Sequence, residues 1–135
     1  MDKIKYKGSY TMAKLVSLRV RTGWIMEWNQ FCDVEPILEN GVLINAAQFN
    51  DSEDLLWMRT VIPEEMKGIW EEANIDLGWY RTKFTVQLFI VKPKDKIYAG
   101  DENTETVAEI STTSVRIVQE TIEDWIENWN SLTTA

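Results

Sequence analysis

A chain with one cysteine and no histidine cannot close an internal disulfide or assemble a site from imidazole ligands. Its fold must come from burial of apolar side chains, and 135 residues is enough chain for one such core. A single domain over 1-135 is therefore expected. Hydrophobic residues make up 44% and charged residues 27%, close to globular averages, which separates the chain from disordered sequences. The same absences narrow the chemistry. A His-based triad, a histidine metal cluster and a Cys–His nucleophile pair all need residues that are missing. No motif supports carboxylate, lysine or hydroxyl chemistry in their place, so a non-enzymatic protein with no cofactor and no metal is expected.

Period-two patterns dominate the first half. Lys14 to Arg21 alternates Leu18 and Val20 with Arg19 and Arg21 and reads as a strand ending at a Thr22-Gly23 turn. Trp24, Met26 and Trp28 then fall on one face of a second strand, because strand side chains alternate sides. They fit either a buried sheet face or a stacking platform. Asn40-Gly41 suits a type I′ hairpin, since both residues tolerate positive φ. It should join a strand ending near Glu39 to one running from Val42 to about Phe49. Pro36 cannot donate a ladder hydrogen bond, which places the incoming strand at an edge or a bulge. Leu55 to Ile62 reads as a strand, with a helix starting at Ser52 as its competitor.

Pro63, Glu64 and Glu65 suit the first turn of a helix, where proline fits and carboxylates meet the positive end of the dipole. Ile62, Met66, Ile69, Trp70 and Ala73 recur at helical spacing, and Gly78 can end the element. Trp79-Tyr80 then follows a Leu77-Gly78 turn as an exposed aromatic pair. Arg81 to Val91 is the plainest strand, with Phe84, Val86, Leu88 and Ile90 alternating against Thr85, Gln87, Phe89 and Val91. Both rows are apolar near its end, as a central strand requires. Lys92 to Asn103 reads as an exposed loop, and Thr106 to Ser111 is compatible with a strand. Val118, Ile122, Trp125, Ile126 and Trp129 describe the apolar stripe of a C-terminal helix. The expected architecture is α+β: an antiparallel β-sheet packed by that helix and by the second, shorter helix.

Charge comes in blocks that sum to a net −8. Residues 1–21 hold six basic groups against Asp2, and residues 22–76 hold twelve acidic groups against Arg59 and Lys67. Residues 77–97 hold five basic groups against Asp95, and the remainder eight acidic groups against Arg116. Either the surface is electrically patterned or the blocks neutralise one another across the fold. The adjacent carboxylate pairs Glu53-Asp54, Glu64-Glu65 and Glu71-Glu72 point in different directions on any regular element, so none is a ready acid–base pair. Asp51, Glu53 and Asp54 lack the glycine and terminal glutamate of a calcium loop. Lys3, Lys5 and Lys7 with Tyr6, and Arg81 and Lys83 beside Trp79-Tyr80, interleave charge with aromatics, but the net charge opposes nucleic acid binding.

No apolar run of membrane-spanning length and no signal-peptide pattern is present, and the lone Cys32 suits a reducing compartment, so a cytoplasmic protein is expected. The reading that follows is a protein-binding module in general character like bacterial toxin-immunity proteins: compact, acidic and without catalytic machinery, binding a cationic toxin such as a nuclease. Its candidate partner-binding residues are Asp51, Glu53, Asp54, Glu64, Glu65, Glu71, Glu72, Trp79, Tyr80, Glu120, Glu123, Asp124 and Glu127. Seven tryptophans also admit a small-molecule or carbohydrate-binding domain using exposed aromatics. A structural subunit of a larger assembly is the third class.

Overall fold

A computed structural model describes residues 14–45, 54–61, 72–91 and 104–133. These residues form strands β1 (Trp24–Asn29), β2 (Leu38–Glu39), β3 (Val42–Leu43), β4 (Leu56–Val61), β5 (Glu72–Tyr80), β6 (Lys83–Val91) and β7 (Thr104–Thr112), and helix α1 (Val115–Thr133). Five strands make one antiparallel sheet in the order β1-β4-β5-β6-β7, while β2 and β3 form a separate hairpin. The architecture is α+β, mostly antiparallel sheet with one C-terminal helix. Among the described residues no helix is long and apolar enough to cross a membrane.

The sheet is two-sided because its sequence alternates. On β6, Phe84, Val86, Leu88 and Ile90 are buried while Thr85, Gln87, Phe89 and Val91 are half-exposed. On β5 the inward row is Ala73, Ile75, Leu77 and Trp79, facing Ile90, Leu88, Val86 and Phe84 in register. Met58 and Leu56 of β4 extend that row opposite Ile75 and Leu77. The stripe of α1 lies over β6 and β7 and buries Val118, Ile122, Trp125 and Ile126 in the same core. Val16 and Phe31 are buried there too, with Leu18, Val34 and Leu43 packed against them. Phe31 and Trp79 both meet Phe84 edge-on, at ring-centroid distances of 5.7 and 5.0 Å. Such T-shaped contacts match the positive edge of one ring to the negative face of the other.

The start of α1 is fixed from two directions. The Ile117 amide donates to Ser114 Oγ at 3.2 Å, the N-cap bond that satisfies one of the helix's orphan donors. The Val115 amide donates to Glu35 Oε1 at 3.3 Å. The first turn of α1 has no acidic residue of its own, so Glu35 supplies the carboxylate that favours the positive end of the dipole.

Several expectations change. Residues 14–21 form no strand; Leu15 makes only an isolated bridge to Cys32. Beyond that bridge the segment runs along α1, where Arg19 N–H donates to Glu123 Oε2 at 2.9 Å and Gln119 Nε2 donates to Ser17 O at 2.8 Å. The Asn40-Gly41 hairpin forms with φ of 51° and 78°, but its strands are two residues each, and β2 begins only after Pro36 and Ile37. Asn45 closes the hairpin base by accepting from the Ile37 amide and donating to Glu35 O, both at 2.8 Å. The helix reading of the 52–62 region fails where the chain is described, since Leu56–Val61 is strand. Residues 62–71, where the second helix should begin, lie outside the described residues, as do 46–49 and 92–103. Its expected end does not exist: 72–80 is strand, and the turn falls at Arg81-Thr82, with Arg81 at φ 60°. In Glu72-Ala73-Asn74-Ile75-Asp76-Leu77 the period of two prevails over the helical spacing that links Ala73 back to Ile69.

Two substitutions test the α1 packing. Trp125→Ala should destabilise the domain by about 3–5 kcal/mol, the usual cost of emptying a buried aromatic site. Ser114→Ala should cost about 1 kcal/mol through the lost cap. Chemical denaturation reads both, and an unchanged midpoint for Trp125→Ala would mean that the stripe does not hold the helix to the sheet.

Candidate functional site

The helix covers one face of the sheet, and the site lies on the other. There β1 contains a bulge: Met26 pairs with Met58 but Trp28 pairs with Trp57, leaving Glu27 as the extra residue. A bulge shifts every later side chain to the opposite face. Trp28 therefore leaves the face it would share with Trp24 and Met26 and joins Trp57. Trp24 is buried, whereas Trp28 is 48% and Trp57 40% exposed. The alternation of β4 places Trp57 and Arg59 outward, and that of β5 does the same for Glu72, Asn74 and Asp76. Phe89 and Val91 complete the face from β6.

These side chains surround an open hollow of about 610 Å³, lined by Trp28, Trp57, Phe89 and Val91 and by the polar groups of Glu27, Asp54, Glu72, Asn74 and Asp76. Both indoles are fixed by hydrogen bonds. Trp28 Nε1–H donates to Asp54 O at 2.9 Å, and Trp57 Nε1–H donates to Asn74 Oδ1 at 2.6 Å. Asn74 is only 2% exposed and its Nδ2 donates to Glu72 Oε1 at 3.4 Å, so its amide is used on both sides. Arg59 sits between two of the carboxylates, with Nε at 2.6 Å from Glu27 Oε2 and Nη1 at 3.6 Å from Glu72 Oε2.

Asp76 differs from these. Burial raises the pKa of its carboxyl above the ordinary carboxylate range, and the neighbouring Asp54 raises it further, against a smaller lowering by a hydrogen bond with the Leu77 backbone. No cationic side chain among the described residues pairs with it. The hollow thus has aromatic walls held by hydrogen bonds, two carboxylates sharing one arginine, and one carboxyl whose ionisation is disfavoured by burial. Such an arrangement suits a cationic group with a flat apolar surface. Among the described residues no cluster of three or more His, Cys, Asp or Glu side chains is placed to hold a metal ion. Cys32 is a free thiol whose pKa is raised by burial and by Asp33, which keeps it in the less nucleophilic protonated form.

The residues expected to contact a partner are scattered. Asp54 and Glu72 line the hollow. Asp51, Glu53, Glu64, Glu65 and Glu71 lie outside the described residues. Trp79 is 5% exposed and belongs to the core, so the expected exposed pair reduces to Tyr80, at 42%. Trp79 is inward because Leu77-Gly78 continues the strand instead of turning it. The helix carboxylates are engaged within the chain: Glu120 with Arg116 at 2.9 Å, Glu123 with the Arg19 amide, Asp124 with Asn128 at 2.8 Å and Glu127 with Arg21 at 3.3 Å. Among these contacts, Arg21–Glu127 pairs the basic N-terminal block with the acidic C-terminal one. Trp28, Trp57, Glu27, Asn74, Asp76, Phe89 and Val91 were not anticipated as one site. The alternation of Glu72, Asn74 and Asp76 with Ala73, Ile75 and Leu77 was the available signal.

Comparison with protein-family models, with curated proteins and with solved structures finds no match to this chain.

The Asp76 environment has a measurable consequence. A carboxyl whose pKa is raised on folding favours the folded state when protonated, and that contribution is lost as pH rises through the raised value. Asp76 therefore costs stability at neutral pH, and the cost is relieved on acidification towards the ordinary carboxylate range. Asp76→Asn should be at least as stable as the wild type at pH 7, with the difference shrinking below the folded-state pKa. Denaturation midpoints of both proteins between about pH 4 and 7 check this. A variant less stable at every pH would mean that the Asp76 carboxylate is stabilised in place.

Proposed function

We propose that this chain is a non-enzymatic protein-binding module that neutralises a cationic protein, with the sheet face opposite α1 as the contact surface. The observation that carries this reading is the hollow itself, which combines two exposed, hydrogen-bonded tryptophans with the penalised carboxylate of Asp76. Tryptophans held at fixed rotamers supply interface area at little entropic cost, and central aromatics dominate many interfaces. The net charge of −8 adds long-range steering towards a basic partner. A toxin such as a nuclease is the narrower form of the proposal, because a surface that holds phosphate is basic. An immunity-type role in the cytoplasm accords with the single free thiol of Cys32.

A carbohydrate or small-molecule ligand is the second reading, favoured by Trp28 and Trp57 being cross-strand partners on an open face beside Asn74 and acidic groups. Affinity capture from the native host's lysate at two salt concentrations separates the two. A basic protein should be retained by the wild type, less so at higher salt, and lost with Trp28→Ala/Trp57→Ala. It should still be retained by Glu123→Lys/Asp124→Lys/Glu127→Lys on the helix, with circular dichroism as the folding control. Retention of no basic protein, or equal retention by the sheet-face variant, would overturn the proposal. Glycan binding that disappears in the double tryptophan variant would favour the second reading.

A further inference from the structure

The outer face of the sheet is a set of cross-strand rows, and two neighbouring rows treat their acidic surroundings differently. In one row Ile25, Arg59, Asn74, Phe89 and Thr106 are successive cross-strand partners. Its guanidinium, Arg59, lies between the carboxylates of Glu27 and Glu72. The next row runs Trp28, Trp57, Asp76, Gln87 and Glu109. Gln87 Nε2 donates to Glu109 Oε1 at 2.8 Å, which ties that end of the row together. At the other end stand two indoles and the Asp76 carboxylate, with no cation from the described residues. Among the described residues, an arginine meets the carboxylates beside the first row, and no cation pairs with Asp76 in the second.

Resting on the reading of this face as a protein-binding surface, we infer that the hollow is a receptor site for an arginine side chain of the partner, its guanidinium flat against the Trp57 and Trp28 walls and hydrogen-bonded to the carboxylate of Asp76. Arginine fits better than lysine because a planar, weakly hydrated guanidinium stacks on an indole and presents paired donors to a carboxylate, whereas an ammonium is a compact and strongly hydrated point charge. Phe89 and Val91 offer an apolar wall for the arginine's methylene stem. Asn74 is committed to Trp57 and Glu72, so it holds the wall and leaves recognition to the carboxylate.

The test needs no knowledge of the partner. Capped Gly-Arg-Gly, the same peptide with citrulline in place of arginine, and free agmatine are titrated at low salt, following the indole N–H resonances of Trp28 and Trp57 by NMR. The arginine peptide should shift both resonances saturably, with a dissociation constant on the order of millimolar for so small a ligand. The neutral citrulline peptide should bind at least about tenfold more weakly, as should the arginine peptide to Asp76→Asn. Asp124→Asn on the helix should leave binding unchanged. Equal shifts from citrulline in the wild type would overturn the inference whatever the fate of the variants, as would no saturable shift. Saturable binding of agmatine with none of the arginine peptide would also overturn it, assigning the hollow to a free small cation. Capture of a basic protein together with no arginine binding would sink this inference and leave the proposed function standing; arginine binding without capture would do the reverse.

Discussion

The pairing of β5 with β6 is the constraint on which the rest of the molecule depends. Along its length Ala73, Ile75, Leu77 and Trp79 meet Ile90, Leu88, Val86 and Phe84, and all eight are buried. Burying one large aliphatic or aromatic side chain is worth about 1.5–3 kcal/mol, against about 0–1 kcal/mol for an exposed ion pair. The inward rows therefore set the register, and everything else is arranged around it. Helix α1 covers β6 and β7 because its own apolar stripe needs that surface, and β4 and β1 extend the sheet on the other flank. Once register is fixed, the outward residues have no choice of neighbours. Asp76 is placed beside Trp57 and Gln87 by the demands of Leu77 and Ile75, not by attraction among the outward groups themselves.

The same arithmetic explains how the charge blocks are used. Contacts such as Arg21–Glu127, with both side chains more than half exposed, are weak, and what fastens residues 14–21 to the helix is burial of Val16 and packing of Leu18. The ion pairs and backbone bonds to Glu123 and Glu127 follow from that docking. Their effect is to cancel part of the basic N-terminal block against the acidic helix, so the helix face carries less unbalanced charge than its sequence suggests. On the sheet face, among the described residues, Arg59 is shared between Glu27 and Glu72, and no cation pairs with Asp76.

Much of this was legible in the sequence, and what was not has definite physical causes. Helix α1, strand β6 and the Asn40-Gly41 hairpin announce themselves through a strong apolar period or a turn that demands positive φ. Strand β5 was obscured because Ala73 fits a helical series with Met66, Ile69 and Trp70, and because Gly78 looks like a terminator. The Tyr80-Arg81-Thr82-Lys83 turn carries neither glycine nor asparagine although Arg81 adopts φ 60°, so the hairpin it closes gave no local sign. The hollow was hidden for a different reason. Its tryptophans come from strands far apart in sequence, and Trp28 reaches the outer face only through a bulge at Glu27, an event that strict alternation cannot foresee.

That bulge also decides what kind of surface the protein presents. Without the extra residue, Trp28 would share the inner face with Trp24 and Met26, and Glu27 alone would point outward beside Arg59. The outer face would then be a polar lattice of alternating charge with Trp57 as its only indole. With the bulge, Glu27 remains close enough to Arg59 to bond at 2.6 Å and Trp28 is added to the same face. A second irregularity, in β7 between the partners of Leu88 and Phe89, adds Val107 opposite them. Bulges deepen the local twist of a sheet. The pairing of Trp28 with Trp57 is thus a product of the insertion in β1 acting on a register dictated by the core, and the site's residues form no recognisable linear motif.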